Sequence, residues 1–292
     1  MAPFPSFTKT WHTSTYPSIS PTRPELSLLG KTAVITGGGI GIGLAISKAL
    51  ALAGISKLAI IGRRTAVLSA AKKEINLLVG NRTTVFTTSA DVSSKKQVDQ
   101  AFSLISREFG QKLDILVANA GYFSGFKNLG EESEEDWANV MGINIKGVAF
   151  VASAFATHAA ENATIINIST AIVHVDPMPG FLSYAATKSA GSKVIQYVAS
   201  EHKGFHVVEF HPGRVRETEM AQKVQGKDGF LDHIDDADLA GHFAVWLASP
   251  EAKFLKGKFV WCNWDVDELK EKAKEIEGSG ALNLGLDGWA IY

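Results

Sequence analysis

Thr36-Gly37-Gly38-Gly39-Ile40-Gly41-Ile42-Gly43 closes the apolar run Thr32–Thr36 and leads without a spacer into Ile42, Ala45, Ile46, Ala49 and Ala53, apolar positions at helical spacing. Glycines between a strand and a helix let the backbone turn sharply. They also let an anion approach the amides of the helix N-terminus, where the dipole favours negative charge. The spacing G-x-G-x-x-G is absent, and Gly37, Gly41 and Gly43 give G-x-x-x-G-x-G instead. A plain turn would also use such glycines. Their placement between strand and helix therefore carries the expectation of a pyrophosphate cradle over Thr36, Gly37, Gly41, Ile42 and Gly43.

Outward from this turn the chain repeats the same unit. Short, mostly β-branched or aliphatic runs predict strands at Thr32–Thr36, Leu58–Ile61, Thr84–Thr88, Ile115–Ala118, Thr164–Ile168, His206–Phe210 and Lys258–Trp261. Helical-period segments separate them, among them Val98, Phe102, Ile105 and Phe109. The alternation predicts an α/β fold, a single Rossmann-like doubly wound parallel sheet of about seven strands flanked by helices. This domain is expected over 28–264, after an extended arm over 1–27 and before a C-terminal helix and tail over 265–292. In the arm, five prolines before Glu25 forbid a continuous amphipathic helix. Leu269 to Glu277 reads as a charged surface helix. The end Gly278–Tyr292, with Leu282, Leu284, Leu286 and Trp289, reads as a loose tail or a strap over a pocket or partner subunit. The acids Glu131, Glu132, Glu134, Glu135 and Asp136 around Ser133 read as a capped helix start rather than a binding patch.

The 292 residues carry a net charge of -1 and no basic block, which argues against a nucleic-acid partner and for small-molecule chemistry. The single cysteine, Cys262, cannot form an internal disulfide, and no Cys/His cluster has zinc spacing, so no metal and a reducing, cytoplasmic setting are expected. His202 and His206 read as surface or packing residues. No apolar run reaches the roughly 18 residues of a membrane span, and no membrane partner is expected. The predicted second strand runs into Gly62-Arg63-Arg64. An acid at this position would hold ribose hydroxyls, whereas the planar arginine forks of Arg63 and Arg64 suit a 2′-phosphate. The expected cofactor is NADP(H). The competing reading is two solvated arginines opening a surface helix.

Further along stands Tyr184-Ala185-Ala186-Thr187-Lys188. With the glycine turn, and with Asp91-Val92, Asn119-Ala120-Gly121, Asn144, Asn167-Ile168-Ser169-Thr170 and Pro212-Gly213-Arg214-Val215 at the ends of successive strands, the chain resembles the short-chain dehydrogenase/reductase family over about residues 28–262. The resemblance implies that Asp91 contacts the adenine with Val92 beside it in the cofactor site, Asn119 packs on the adenosine ribose, and Val215 and Thr218 approach the nicotinamide amide. It also implies that Tyr184 is the general acid/base, that Lys188 holds the nicotinamide ribose, and that Asn144 links the lysine to a water relay. A nearby ammonium favours a phenolate, and a spacing of four puts Lys188 on the Tyr184 face of a helix. Two departures stand out. The usual serine pair is Ser169-Thr170, which makes Thr170 the expected catalytic hydroxyl. Val215-Arg216-Glu217-Thr218 is one residue longer than the family's spacing.

The expected substrate walls are Tyr122–Phe126, His174–Ser183 and Met220 to about His233, contributing Tyr122, Phe123, Phe126, Met178, Phe181, Met220 and Phe230. They suit a bulky apolar ketone or alcohol. His174 and Asp176 read as loop residues pointing into water. The resemblance extends to fungal members through Trp11–Leu26 and Phe259–Val266, which implies a role in secondary metabolism. It also implies a homodimer or homotetramer built through the helices that begin near Ser133 and Ser183. Two alternatives stay open: a redox-silent relative that uses the pocket for isomerisation or cyclisation, and a sensor of NADP(H).

Overall fold

A computed structural model describes residues 4, 6–216, 218–223 and 234–285. Glu217, Phe230, His233, Leu286 and Trp289 lie outside the described residues.

The strands are β1 (Thr32–Thr36), β2 (Lys57–Gly62), β3 (Thr84–Ser89), β4 (Leu113–Ala118), β5 (Ala159–Ile168), β6 (His206–His211) and β7 (Phe259–Trp261). They form one parallel sheet in the order β3-β2-β1-β4-β5-β6-β7. Every residue of β1 is buried, as its unbroken apolar run requires of a strand covered on both faces. Strand order reverses between β1 and β4, and a crevice opens there at the carboxyl edge of such sheets. β5 begins five residues earlier than its apolar run, because Ala159 already pairs with Leu113 before a register shift.

The helices are α1 (Gly41–Leu52), α2 (Thr65–Val79), α3 (Lys95–Phe109), α4 (Glu134–Met141), α5 (Val148–His158), α6 (Leu182–Glu201), α7 (Glu219–Gln222), α8 (Ala237–Leu247), α9 (Val266–Glu271) and α10 (Ala273–Glu277). α1, α2 and α8 cover one face of the sheet, and α3, α5 and α6 the other. α1 and α8 approach closely at Gly241, where a Cβ would stand 2.8 Å from the Ala45 carbonyl oxygen. On α3 the stripe read from the sequence, Val98, Phe102, Ile105 and Phe109, is buried together with Ala101. Truncating the fully buried Phe102 to alanine would cost about 3–5 kcal/mol.

Ser133 caps α4 in a capping box with Asp136, which accounts for the acidic run as a helix start. A π-helical turn, Gly142–Gly147, joins α4 to α5. The continuous run Glu134–His158 is long and apolar enough to cross a membrane by length and composition, a property missed because Lys146 and the glycines interrupt its apolar sequence. Its inner side packs into the core through Val148, Val151 and Phe155.

The predicted charged surface helix from Leu269 to Glu277 is two short helices, α9 and α10, broken at Lys272. Leu269 and Ile276 anchor them in the core. The N-terminal segment lies against this region. Its Ile19 and Leu26 are fully buried, Trp11 bridges to Trp264, and the amides of Lys9 and Thr10 donate to the Glu268 carboxylate at 2.6 and 2.9 Å.

Candidate active site

A cleft of about 990 Å³ opens at the carboxyl edge of the sheet. Its floor is the glycine turn. Gly37 and Gly41 take positive φ values of 67° and 51°, where residues with a Cβ are strained. A Cβ on Gly43 would meet the Gly37 carbonyl oxygen at 2.2 Å and Asn119 Nδ2 at 2.6 Å. α1 starts with no side-chain cap at Ile40, so its first amides have no acceptor from their own helix and face the cleft. These features fit a dinucleotide pyrophosphate.

Thr36 does not line the cleft. It works from behind, its Oγ1 accepting from the amides of Asn119 and Ala120 at 3.1 Å each. The Asn119 side chain donates to the Thr36 and Gly37 carbonyls at 2.9 and 3.2 Å and so ties β4 to the glycine turn. Asp91 accepts from the Ser93 amide and hydroxyl, which turns the chain after β3 and leaves Asp91 and Val92 on the cleft wall. Arg63 and Arg64 stand at one end. Glu219 of α7 reaches Arg64 at 2.6 Å, so an acid from 155 residues away occupies the position where the local sequence held none. Val215 and Thr218 also line the cleft, and Thr218 lies over the glycine turn, its Cγ2 3.1 Å from where a Gly41 Cβ would stand. Asp235 fixes the preceding turn by accepting from the Arg214 amide at 2.7 Å and from Asn263 Nδ2 at 2.8 Å.

α6 places Tyr184 and Lys188 on one face, with Lys188 Nζ 6.0 Å from the phenol ring centre. Lys188 Nζ donates to the Ile168 carbonyl at 2.8 Å. Asn144, on the π-helical turn, is fully buried and does not line the cleft. Its amide accepts from the Tyr122 N–H at 2.9 Å and donates to the Tyr122 carbonyl at 2.9 Å and to Thr187 Oγ1 at 3.1 Å. The Gly121 backbone lies against both groups: a Cβ there would stand 3.3 Å from Lys188 Nζ and 3.7 Å from Asn144 Oδ1. Burial pulls Lys188 down to about 8, against the opposing pull of Glu209. Burial also pushes the Tyr184 phenol above its ordinary value. The expected phenolate is thus not the favoured form, because removing the ring from water outweighs the ammonium at this distance.

The two hydroxyls after β5 are sorted by a buried network. Glu209 on β6 accepts from Asn167 Nδ2 at 2.7 Å and Ser192 Oγ at 2.8 Å, both on the same carboxylate oxygen. Ser192 therefore gives its hydrogen to Glu209, and Ser169, 3.2 Å from Ser192, donates to it in turn. Thr170 faces the cleft, where its hydroxyl accepts weakly from the Ile172 amide at 3.5 Å and keeps its hydrogen available.

One cleft thus gathers Gly37, Gly41, Ile42, Gly43, Arg63, Arg64, Asp91, Val92, Asn119, Thr170, Tyr184, Lys188, Val215 and Thr218. Thr36 and Asn144 support it from behind. Of the expected apolar walls, Phe123, Phe126, Met178, Phe181 and Met220 line it, and Phe123 stacks on Phe181 at 5.2 Å. Tyr122 does not, since its backbone is held by Asn144 and its ring lies 4.3 Å from Lys223 Nζ. His174 and Asp176, expected to point into water, are exposed; His174 also accepts from Trp261 Nε1 at 2.9 Å, and Asp176 stands on the cleft wall. Phe4, Trp261, Glu219, Asp235 and Glu209 were missed. Only Glu209 carried a local signal, an acid inside an apolar strand.

A family model described as short chain dehydrogenase matches residues 31–229. A Claviceps purpurea protein described as a short chain dehydrogenase/reductase is 35% identical over 287 residues, covering 97% of this chain and 94% of its own. A Monascus purpureus short chain dehydrogenase is 32% identical, covering 97% and 98%. Among solved structures, an alcohol dehydrogenase of the archaeon Thermococcus sibiricus, complexed with 5-hydroxy-NADP, superposes with a TM-score of 0.67 at 28% identity, covering 74% of this chain and 89% of that one.

Proposed function

Because the chain belongs to the short-chain dehydrogenase family, whose members are oxidoreductases that use a nicotinamide dinucleotide, we propose that it interconverts a ketone and a secondary alcohol on a bulky, mostly apolar small molecule with NADP(H). The observation that carries this reading is that Thr170, Tyr184 and Lys188 face the same cleft as the glycine turn and the Arg63-Arg64 pair. The dinucleotide, when bound, supplies or accepts the hydride.

The chain's own residues do the rest. The uncapped start of α1 would hold the pyrophosphate, and Arg63 and Arg64 would hold the 2′-phosphate. Thr170 Oγ1 donates a hydrogen bond to the substrate oxygen. Tyr184, kept neutral by burial, is in the state needed to give that oxygen a proton in the reducing direction. Lys188 holds a positive charge beside the phenol and stabilises the phenolate left after transfer. Phe123, Phe126 and Phe181 exclude water and receive an apolar or aromatic substrate. The fungal relatives support a place in secondary metabolism. The family's habit of pairing supports a homodimer or homotetramer through the helices that begin near Ser133 and Ser183, on whose outer side Tyr197, 63% exposed, lines a groove with Ala149, Ala152 and Ala156.

The test is a panel of aromatic and polycyclic ketones screened for loss of reduced-nicotinamide absorbance, with NADPH and NADH in parallel. The expected result is NADPH-dependent turnover that falls about 10²–10⁴-fold in Tyr184→Phe. Substrate binding without nicotinamide oxidation, or equal use of NADH, would overturn it.

A further inference from the structure

Glu209 is a carboxylate only 5% exposed on β6, between β5 and the edge strand β7, and the chemistry proposed above makes no use of it. Burying such a charge is costly unless something compensates it. Its β5 register partner is Asn167, and both side chains point to the α6 face with Ser169, Lys188 and Ser192. Burial pushes the Glu209 carboxyl up from its ordinary value; the two donors that converge on one oxygen, and Lys188, pull the other way, toward the ionised form.

Among the described residues the groups facing Lys188 are few. α6 itself contributes Tyr184; β5 contributes the Ile168 carbonyl; the π-helical turn contributes the Asn144 amide; the loop after β4 contributes the Gly121 backbone. Next along β6, on the Glu209 face, lies His211, which burial keeps neutral by pulling it down to about 3. Glu209 reaches the surroundings of Lys188 from two sides. Ser192, one turn after Lys188 on α6, donates to it, and so does Asn167, which precedes Ile168, whose carbonyl accepts from Lys188 Nζ. From there the carboxylate opposes the downward pull of burial on the lysine.

We propose that Glu209 is the buried counter-charge of Lys188: a positioning residue that holds the lysine as an ammonium and, through Ser192, engages the Ser169 hydroxyl. The inference rests on reading Lys188 as part of the reactive group, but its test does not depend on turnover. The ε-carbons of the lysines, labelled with ¹³C and assigned with Lys188→Arg, are titrated by NMR in the full chain. In Glu209→Gln, whose amide oxygen can still accept from Asn167 and Ser192, the Lys188 midpoint falls by about one pH unit, a tenfold loss of proton affinity. Glu209→Asp, which keeps the charge, restores most of it. Linkage is reciprocal, so in Lys188→Met the Glu209 carboxyl midpoint rises by a similar amount, and this arm reads the same coupling if Glu209→Gln does not fold. An unmoved midpoint in either folded variant overturns the proposal. A shifted midpoint in a protein that reduces no ketone leaves Glu209 its role and removes the proposed reaction instead.

Discussion

Replacing Glu219 by glutamine should tighten NADPH binding and leave NADH binding unchanged. The Arg64–Glu219 pair joins at 2.6 Å with side chains 54% and 59% exposed. An ion pair so open to solvent contributes about 0–1 kcal/mol. A 2′-phosphate must displace the carboxylate to use the Arg64 fork, so NADPH binding is opposed by that amount. Removing the charge returns it, and about 1 kcal/mol is roughly a fivefold change in Kd. The expected gain is therefore two- to fivefold, seen by fluorescence titration of the reduced nucleotide at low salt, and it shrinks at high salt as exposed charges are screened. NADH lacks the phosphate and has no reason to respond. The complementary change, Arg64→Leu, removes a charge-assisted hydrogen bond worth about 1.5–3 kcal/mol and should weaken NADPH at least tenfold. Equal effects of Glu219→Gln on both nucleotides, or weaker NADPH binding, would refute the idea that Glu219 competes for the phosphate site.

Other outcomes follow from the same geometry. Thr170→Val should lose most ketone turnover while Ser169→Ala loses little, since Ser169 spends its hydrogen on Ser192; the reverse order in kcat would move the donor role to Ser169. Because Lys188 sits near 8 and is charged below that value, the reduction rate should fall about tenfold per unit as pH rises past 8, and Lys188→Arg should remove that limb from the pH profile of kcat. Gly43→Ala would drive a Cβ into the Gly37 carbonyl, costing about 1–3 kcal/mol in a denaturant melt and abolishing tight NADPH binding; a normal titration curve would count against the glycine turn as the cradle.

The features legible in the sequence are those set by local pattern. The apolar run of β1, the glycines after it and the spacing of Tyr184 and Lys188 each lie within one element, and one element's periodicity is enough to read them. Where a property needs two elements, the pattern falls silent. β5 starts at Ala159 rather than Thr164 because Leu113 pairs with it, and the polar residues Glu161 and Asn162 hide that extension. Tyr122 sits among cleft aromatics in sequence, yet Asn144 grips its backbone and turns the ring toward Lys223. Arg64 has no local acid, and its partner arrives on α7.

The hydroxyl pair after β5 makes the same point about chemistry. Both hydroxyls stand at the cleft, Ser169 almost fully buried and Thr170 half-buried, and the dipeptide itself does not say which keeps a free hydrogen. The choice is made by Ser192 and Glu209, residues brought to Ser169 only by α6 and the pairing of β5 with β6. Once Ser169 is committed to that chain of hydrogens, the cleft position needs only a hydroxyl with a free hydrogen. Threonine meets that need as serine would, and its extra methyl can rest against the apolar wall beside Ile172. The substitution that looks like a weakened triad in sequence therefore sits in a site whose donor is fixed by a buried acid two strand positions from the cleft.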